Sequence, residues 1–158
     1  IYKNFISSEE FHYFYDIGNS GKNYLTPISR ISESSTINGV TYVNLISGLV
    51  YFTAPIPRGS DKVKVQIRFK DNFPKPSFSI GAKDKLEWHY RWQDVYQNAK
   101  QDGQWYITET TFDLKGLYYK NNQLSLVFNI PHLGQNITRQ NYIPIDWIDI
   151  TVYKPGII

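Results

Sequence analysis

Apolar and polar residues alternate with a period of two along most of this chain. Across residues 62–70, Val63, Val65, Ile67 and Phe69 fall on one side and Lys62, Lys64, Gln66, Arg68 and Lys70 on the other. That is the pattern of a strand with one buried and one wet face. Residues 123–130 repeat it with Leu124, Leu126, Phe128 and Ile130. Residues 146–154 do so with Ile148, Ile150 and Val152 set against Trp147, Asp149, Thr151 and Tyr153. Shorter strands are predicted over 11–17, 40–46, 49–54, 77–81, 86–92 and 105–112. Turn chemistry separates them, as in Ile37-Asn38-Gly39-Val40, Gln101-Asp102-Gly103 and Lys120-Asn121-Asn122. Strands recurring every 8 to 15 residues or so suit a sandwich or barrel. The expected fold is all-β, an antiparallel two-sheet β-sandwich in one domain over 1–158, with at most a short surface helix. Residues 92–101 are that helix, on the four-residue spacing of Val95 and Ala99, and 18–36 is read as a long loop covering one end of the sandwich.

Composition narrows the picture. Ala occurs only at positions 54, 82 and 99, while Tyr, Phe and Trp number 13, 9 and 4. Both facts favour strands over helices. The absence of cysteine removes disulfides, thiolate metal sites and cysteine nucleophiles together. A net charge of +3 with no RNA-recognition or helix-turn-helix pattern gives no reason to expect a nucleic-acid partner. The chain holds no Met, so it reads as a piece excised from a larger protein. No stretch reaches the length of a membrane span.

The order of features in the second half carries a resemblance. Trp105-Tyr106-Ile107-Thr108 runs into Phe112-Asp113-Leu114, then Asn122-Gln123-Leu124-Ser125-Leu126-Val127-Phe128. A Pro/Gly loop follows, and then Pro144-Ile145-Asp146-Trp147-Ile148-Asp149-Ile150-Thr151-Val152-Tyr153. With 49–69 as paired central strands, this resembles galactose-binding-like jelly rolls, the fold of many carbohydrate-binding modules, over about two-thirds of the chain. The resemblance implies a jelly-roll sandwich and a glycan or polysaccharide ligand. No cofactor is expected. In such folds an acidic first strand often helps to hold a structural calcium, which here would fall to Glu9 or Glu10 with Asp146; Ser8-Glu9-Glu10-Phe11 matches that strand only loosely.

Signatures of the common enzyme classes are missing. His12, His89 and His132 lie far apart, and no Gly-x-Ser-x-Gly elbow, phosphate loop or dinucleotide fingerprint occurs. Asp146 and Asp149 stand at an odd offset, which in a regular strand puts them on opposite faces. The densest cluster is Glu87-Trp88-His89-Tyr90-Arg91-Trp92-Gln93-Asp94-Val95-Tyr96. One reading makes it a sugar site, with ring faces stacking on a pyranose and His89 and Arg91 binding hydroxyls. The other puts Trp88 and Tyr90 in the core with His89 and Arg91 on the wet side. Trp92, Tyr96 and Trp105, expected at strand ends near the 101–103 turn, are the remaining ligand candidates. Trp147 and Tyr153 are expected to pack beneath 18–36, and the Lys62, Lys64, Arg68 and Lys70 row to be a solvated face. Asn136-Ile137-Thr138 is an N-glycosylation sequon and allows an extracytoplasmic setting.

Three functions remain open. The first is a non-catalytic carbohydrate-binding module of a larger extracytoplasmic or membrane-anchored protein. The second is a structural domain packing on the remainder of the parent chain. The third is a jelly-roll polysaccharide-active enzyme using His89, Tyr90 and Arg91.

Overall fold

The computed structural model describes residues 8–19, 24–26, 31–46, 48–70, 79–85, 89–95, 99–130 and 142–156, with backbone alone at 130 and 142. Its strands are β1 (Glu9–Tyr15), β2 (Leu25–Thr26), β3 (Ser35–Ile37), β4 (Val40–Ile46), β5 (Gly48–Pro55) and β6 (Lys62–Phe69). The chain continues through β7 (Ser79–Lys83), β8 (Tyr90–Asp94), β9 (Lys100–Asp102), β10 (Trp105–Asp113), β11 (Tyr119–Lys120), β12 (Gln123–Ile130) and β13 (Tyr142–Lys154). They form two antiparallel sheets. The seven-stranded sheet runs β3-β4-β13-β6-β10-β9, with β1 also on β13; the six-stranded sheet runs β2-β5-β12-β7-β8, with β11 also on β12. The expected all-β sandwich is the observed one.

Period-two alternation places the core. Val63, Val65, Ile67 and Phe69 from β6, and Ile148, Ile150 and Val152 from β13, are fully buried between the sheets. So are Val50, Phe52 and Ala54 from β5, and Leu124, Leu126 and Phe128 from β12. The sheets meet at rings as well: Tyr15 of β1 sits edge-on to Phe52 of β5 at 4.9 Å between centroids. Each such aliphatic or aromatic side chain contributes roughly 1.5–3 kcal/mol on leaving water. Two-residue turns set the register of two hairpins. Asn38 (φ 52°) with Gly39 (φ 79°) joins β3 to β4, and Asn121 (φ 55°) with Asn122 (φ 57°) joins β11 to β12, the left-handed pairs that such hairpins require.

Three local expectations change. Residues 92–101 are not a helix where they are described: β8 extends to Asp94, Val95 is a buried turn residue, and β9 begins at Lys100. Thr108 of β10 donates its hydroxyl to the Val95 carbonyl at 2.6 Å, so that turn is tied to the neighbouring sheet. Within 18–36, Leu25–Thr26 pairs with β5 and Ser35–Ile37 with β4 as short edge strands. The third change is a β-bulge between Ile145 and Trp147, which shifts the alternation by one at Asp146. His132 and the 136–138 sequon lie outside the described residues.

Candidate functional site

Each sheet turns one face to the core and one to solvent, and the two outer faces differ in character. On the six-stranded sheet, register sets Tyr51 of β5 beside Val127 of β12, Val127 beside Gly81 of β7, and Gly81 beside Trp92 of β8. All four belong to the face opposite the core residues Phe52, Leu126, Phe128, Ile80 and Ala82. Three strand spacings of about 4.8 Å separate Tyr51 from Trp92, a span of about 14 Å. Trp92 is 42% exposed and Tyr51 36%, while Val127 between them is only 1% exposed. The row is therefore apolar throughout, with two accessible rings at its ends and a middle, Val127 and Gly81, that is covered from solvent.

Gly81 explains how Trp92 lies. A Cβ at position 81 would stand 2.8 Å from Cε3 of the indole, so the missing side chain is the space that the ring occupies. Tyr90, two residues earlier on β8, leans against it at 5.5 Å and 41°. Leu49, Tyr118 and Tyr24 are exposed as well. Hydroxyl and amide groups line the same face: Thr53 is paired with Ser125, Asn129 with Leu49 and Ser79, and Asp94 with Ser79. Flat rings interleaved with hydroxyl, amide and carboxylate groups suit a ligand with apolar faces and polar rims.

The outer face of the seven-stranded sheet is a charge network. Arg68 of β6 donates from Nη1 to Asp146 at 2.6 Å and from Nε to Asp102 at 3.2 Å, and its guanidinium lies 5.0 Å above the Trp105 ring. Tyr42 meets Trp105 edge-on at 5.8 Å. Burial pushes the Asp146 carboxyl above the ordinary aspartate value; Arg68 opposes the rise and Asp16 adds to it. Because of the bulge, Asp146 reaches Arg68 on the same outer face that Asp149 uses, which overturns the opposite-face expectation from their odd offset. Trp147 points outward as expected, and its ring meets Phe14 of β1 at 5.7 Å; residues 20–23 and 27–30 of the segment expected above it lie outside the described residues. Tyr153 points outward too, against Lys64, whose pKa its hydroxyl raises.

The sequence candidates disperse. Trp92 is on the exposed face, mid-strand rather than at a strand end. Trp105 is 7% exposed and belongs to the other sheet's outer face, where Arg68 covers its ring, so the two are not brought together. Tyr96 lies outside the described residues. Arg91 is partly exposed but held by the protein: it pairs with Asp84 at 3.2 Å and donates to the carbonyls of Asp113 and Lys115 at 3.3 and 3.0 Å, closing the turn that follows β10. His89 is exposed, and its carbonyl accepts from the Asp84 amide at 2.9 Å. Tyr90 stands on the outer face rather than in the core, because β8 pairs with β7 through Gly81 and Trp92. Tyr51, which sequence reasoning missed, was signalled by its alternation with Val50, Phe52 and Ala54.

No three His, Asp or Glu residues cluster as a metal site among the described residues. The pair suggested for calcium is far apart. Glu9 and Glu10 stand opposite Lys154 and Tyr153, eight and seven residues from Asp146 along β13, which is more than about 20 Å. Two cavities of about 400 and 410 Å³ lie elsewhere. Ser8, Glu9, Glu10, Asp61, Lys62 and Tyr153 help to line the first, and Gln93, Lys100, Glu109, Thr110 and Thr111 the second.

No protein-family model matches the sequence, and no curated protein matches it either. Solved structures do match. The CBM22-1 xylan-binding domain of Paenibacillus barcinonensis Xyn10C is similar over 94% of this chain and 97% of its own, with a TM-score of 0.50 and 11% identity. The mannan-recognising module TmCBM27 covers 92% of this chain and 98% of its own, at a TM-score of 0.48 and 10% identity. The C-terminal CBM6 of LamC from Zobellia galactanivorans covers 92% and 99%, at 0.44 and 14%. At 11% identity the likeness to the xylan-binding domain is one of fold: the chain shares its β-sandwich architecture.

Proposed function

We propose that this domain is a non-catalytic glycan-binding module whose site is the outer face of the six-stranded sheet. The observation that carries it is the row Tyr51, Val127, Gly81 and Trp92, with Tyr90 beside it: two accessible rings about 14 Å apart on one apolar row of the sheet. Pyranose rings have apolar faces that stack on indole and phenol, and the span accommodates several consecutive units. Thr53, Ser125 and Asn129 supply hydroxyl and amide partners along the same face. The shared architecture with carbohydrate-binding modules supports the reading. Against catalysis, Asp84, Asp102 and Asp146 are engaged with arginines, and among the described residues no pair of carboxylates faces the aromatic row.

The module belongs to a larger extracytoplasmic protein and presents its six-stranded face to the polysaccharide. Among the described residues no helix is long and apolar enough to cross a membrane. Binding needs no cofactor, so a chelator leaves the affinity unchanged. Isothermal titration against a panel of neutral and acidic polysaccharides tests the function. Trp92→Ala and Tyr51→Ala are each expected to weaken binding at least tenfold, about 1.4 kcal/mol, without unfolding the domain. Silence across the whole panel would leave the structural, parent-packing role instead.

A further inference from the structure

The cations on the two outer faces are answered differently. On the seven-stranded sheet, Lys62 stands in register with Asp113, Lys64 is held by the Tyr153 hydroxyl with Glu109 and Glu10 nearby, and Arg68 lies between Asp146 and Asp102. There Arg68 is ion-paired on both sides, and Glu109 and Glu10 lend Lys64 their negative charge. On the six-stranded sheet, Lys83 is the cross-strand partner of Tyr90, and its ammonium sits 4.9 Å above the Tyr118 ring. Lys120 is the partner of Gln123 on the same face. Among the described residues neither lysine has a carboxylate within ion-pair reach.

Their placement relative to the aromatic row is specific. Ala82 is opposite Leu126 and Lys120 opposite Gln123 on one edge of β12, so Lys83 stands level with Ser125 and about 7 Å from Lys120. Both flank the Tyr90 end of the row. Among the described residues the acidic group on this face is Asp94, at the far end of β8 opposite Ser79, about 13 Å from Tyr90. The face therefore carries a polarity along its strands, with a basic end that no carboxylate among the described residues pairs. The Tyr118 ring holds the Lys83 ammonium in place without consuming its charge.

We infer that this face takes an acidic glycan, whose uronate carboxylate or sulfate ester lies against Lys83 and Lys120 while its sugar rings stack on Trp92 and Tyr51. This rests on the six-stranded face being the glycan site. The test measures binding to polygalacturonate and its carboxyl-reduced form, and to a sulfated galactan and its desulfated form, at low and physiological ionic strength. Either charged polymer is expected to bind about tenfold more tightly than its neutral counterpart, with the advantage shrinking as salt rises. The better of the two charged polymers identifies the anion.

Lys83→Gln combined with Lys120→Gln should bring the charged polymer down to the neutral one's affinity and leave the neutral polymer and the melting temperature unchanged. Trp92→Ala should weaken both. Equal affinity for charged and neutral polymers, unmoved by the lysine changes, overturns the acidic preference and leaves the glycan site standing. Charge-dependent binding that ignores Trp92→Ala overturns it too, because the attraction then lies off this face. Binding to none of the four polymers nor to any neutral glycan sinks both readings.

Discussion

Trp92 and Trp105 are the same residue type thirteen positions apart, yet their surroundings give them opposite roles. Trp92 rests on the bare backbone of Gly81 with its outer side open; Trp105 is roofed by Arg68 and edged by Tyr42. Trp105→Ala is therefore expected to cost about 3 kcal/mol of stability, read by urea denaturation, and to leave the glycan affinity of the folded protein unchanged. Loss of binding without loss of stability would move the site to the other sheet. Arg68 supports a second prediction. Its side chain and that of Asp146 are both mostly buried, so Arg68→Leu leaves a carboxylate in a poor dielectric and costs ~3 kcal/mol at neutral pH. The folded form already favours the protonated Asp146 carboxyl. This group's contribution to stability is thus full below the ordinary aspartate value and is lost as pH rises through the raised folded one. Removing Arg68 removes the influence that opposes that rise, so the variant should regain stability on acidification. The added Asp146→Asn change should abolish that pH response, and a response that survives it would assign the effect to another group.

At the scale of the strand, the test of the site is Gly81→Ala. Its φ is not left-handed, so the backbone tolerates a side chain, but the new Cβ falls 2.8 Å from the indole and the ring must move. Glycan affinity should drop several-fold and tryptophan fluorescence should shift, with a stability change below about 1 kcal/mol; unchanged affinity and fluorescence would show that the ring's seat is irrelevant to binding. Strands were the most legible feature of this sequence. β4, β6, β10 and β12 coincide with the alternating runs to within a residue or so, since half-buried strands leave a period-two record that no helix mimics over eight residues. The edge strands left a poorer record. Val95 and Ala99 imitate a helical pair, and only the long-range bond from Thr108 to the Val95 carbonyl shows why the chain turns there instead. Alternation in β8 groups Tyr90 with Trp92 but cannot say which side is core; that depends on pairing with Gly81. The bulge at Asp146 is equally silent, because one extra residue in a strand changes no residue type.

For the whole molecule, the decisive arrangement is that β12 serves the core and the site at once. Leu124, Leu126 and Phe128 point inward, while Ser125, Val127 and Asn129 floor the outer face. Which strands flank β12 is a matter of contacts 46 and 76 residues away in sequence (Gly81 with Val127, Tyr51 with Val127), and that is why sequence alone yielded the sandwich but neither the aromatic row nor the partners of Trp105. Because the two faces of β12 are separated by the backbone itself, stability and recognition should be separable. Phe128→Ala opens a cavity in the core and should cost 3–5 kcal/mol or so, a large part of a typical domain's roughly 5–15 kcal/mol, while the fraction that stays folded in the cold binds glycan with unaltered affinity. The Tyr51→Ala, Trp92→Ala double variant should do the reverse, losing binding while its denaturation midpoint stays within about 1 kcal/mol of the parent. Titration and urea denaturation on the same two preparations decide the matter. If the aromatic double variant melts as early as Phe128→Ala, the rings are holding the sheet together, and a glycan platform is the wrong account of that face.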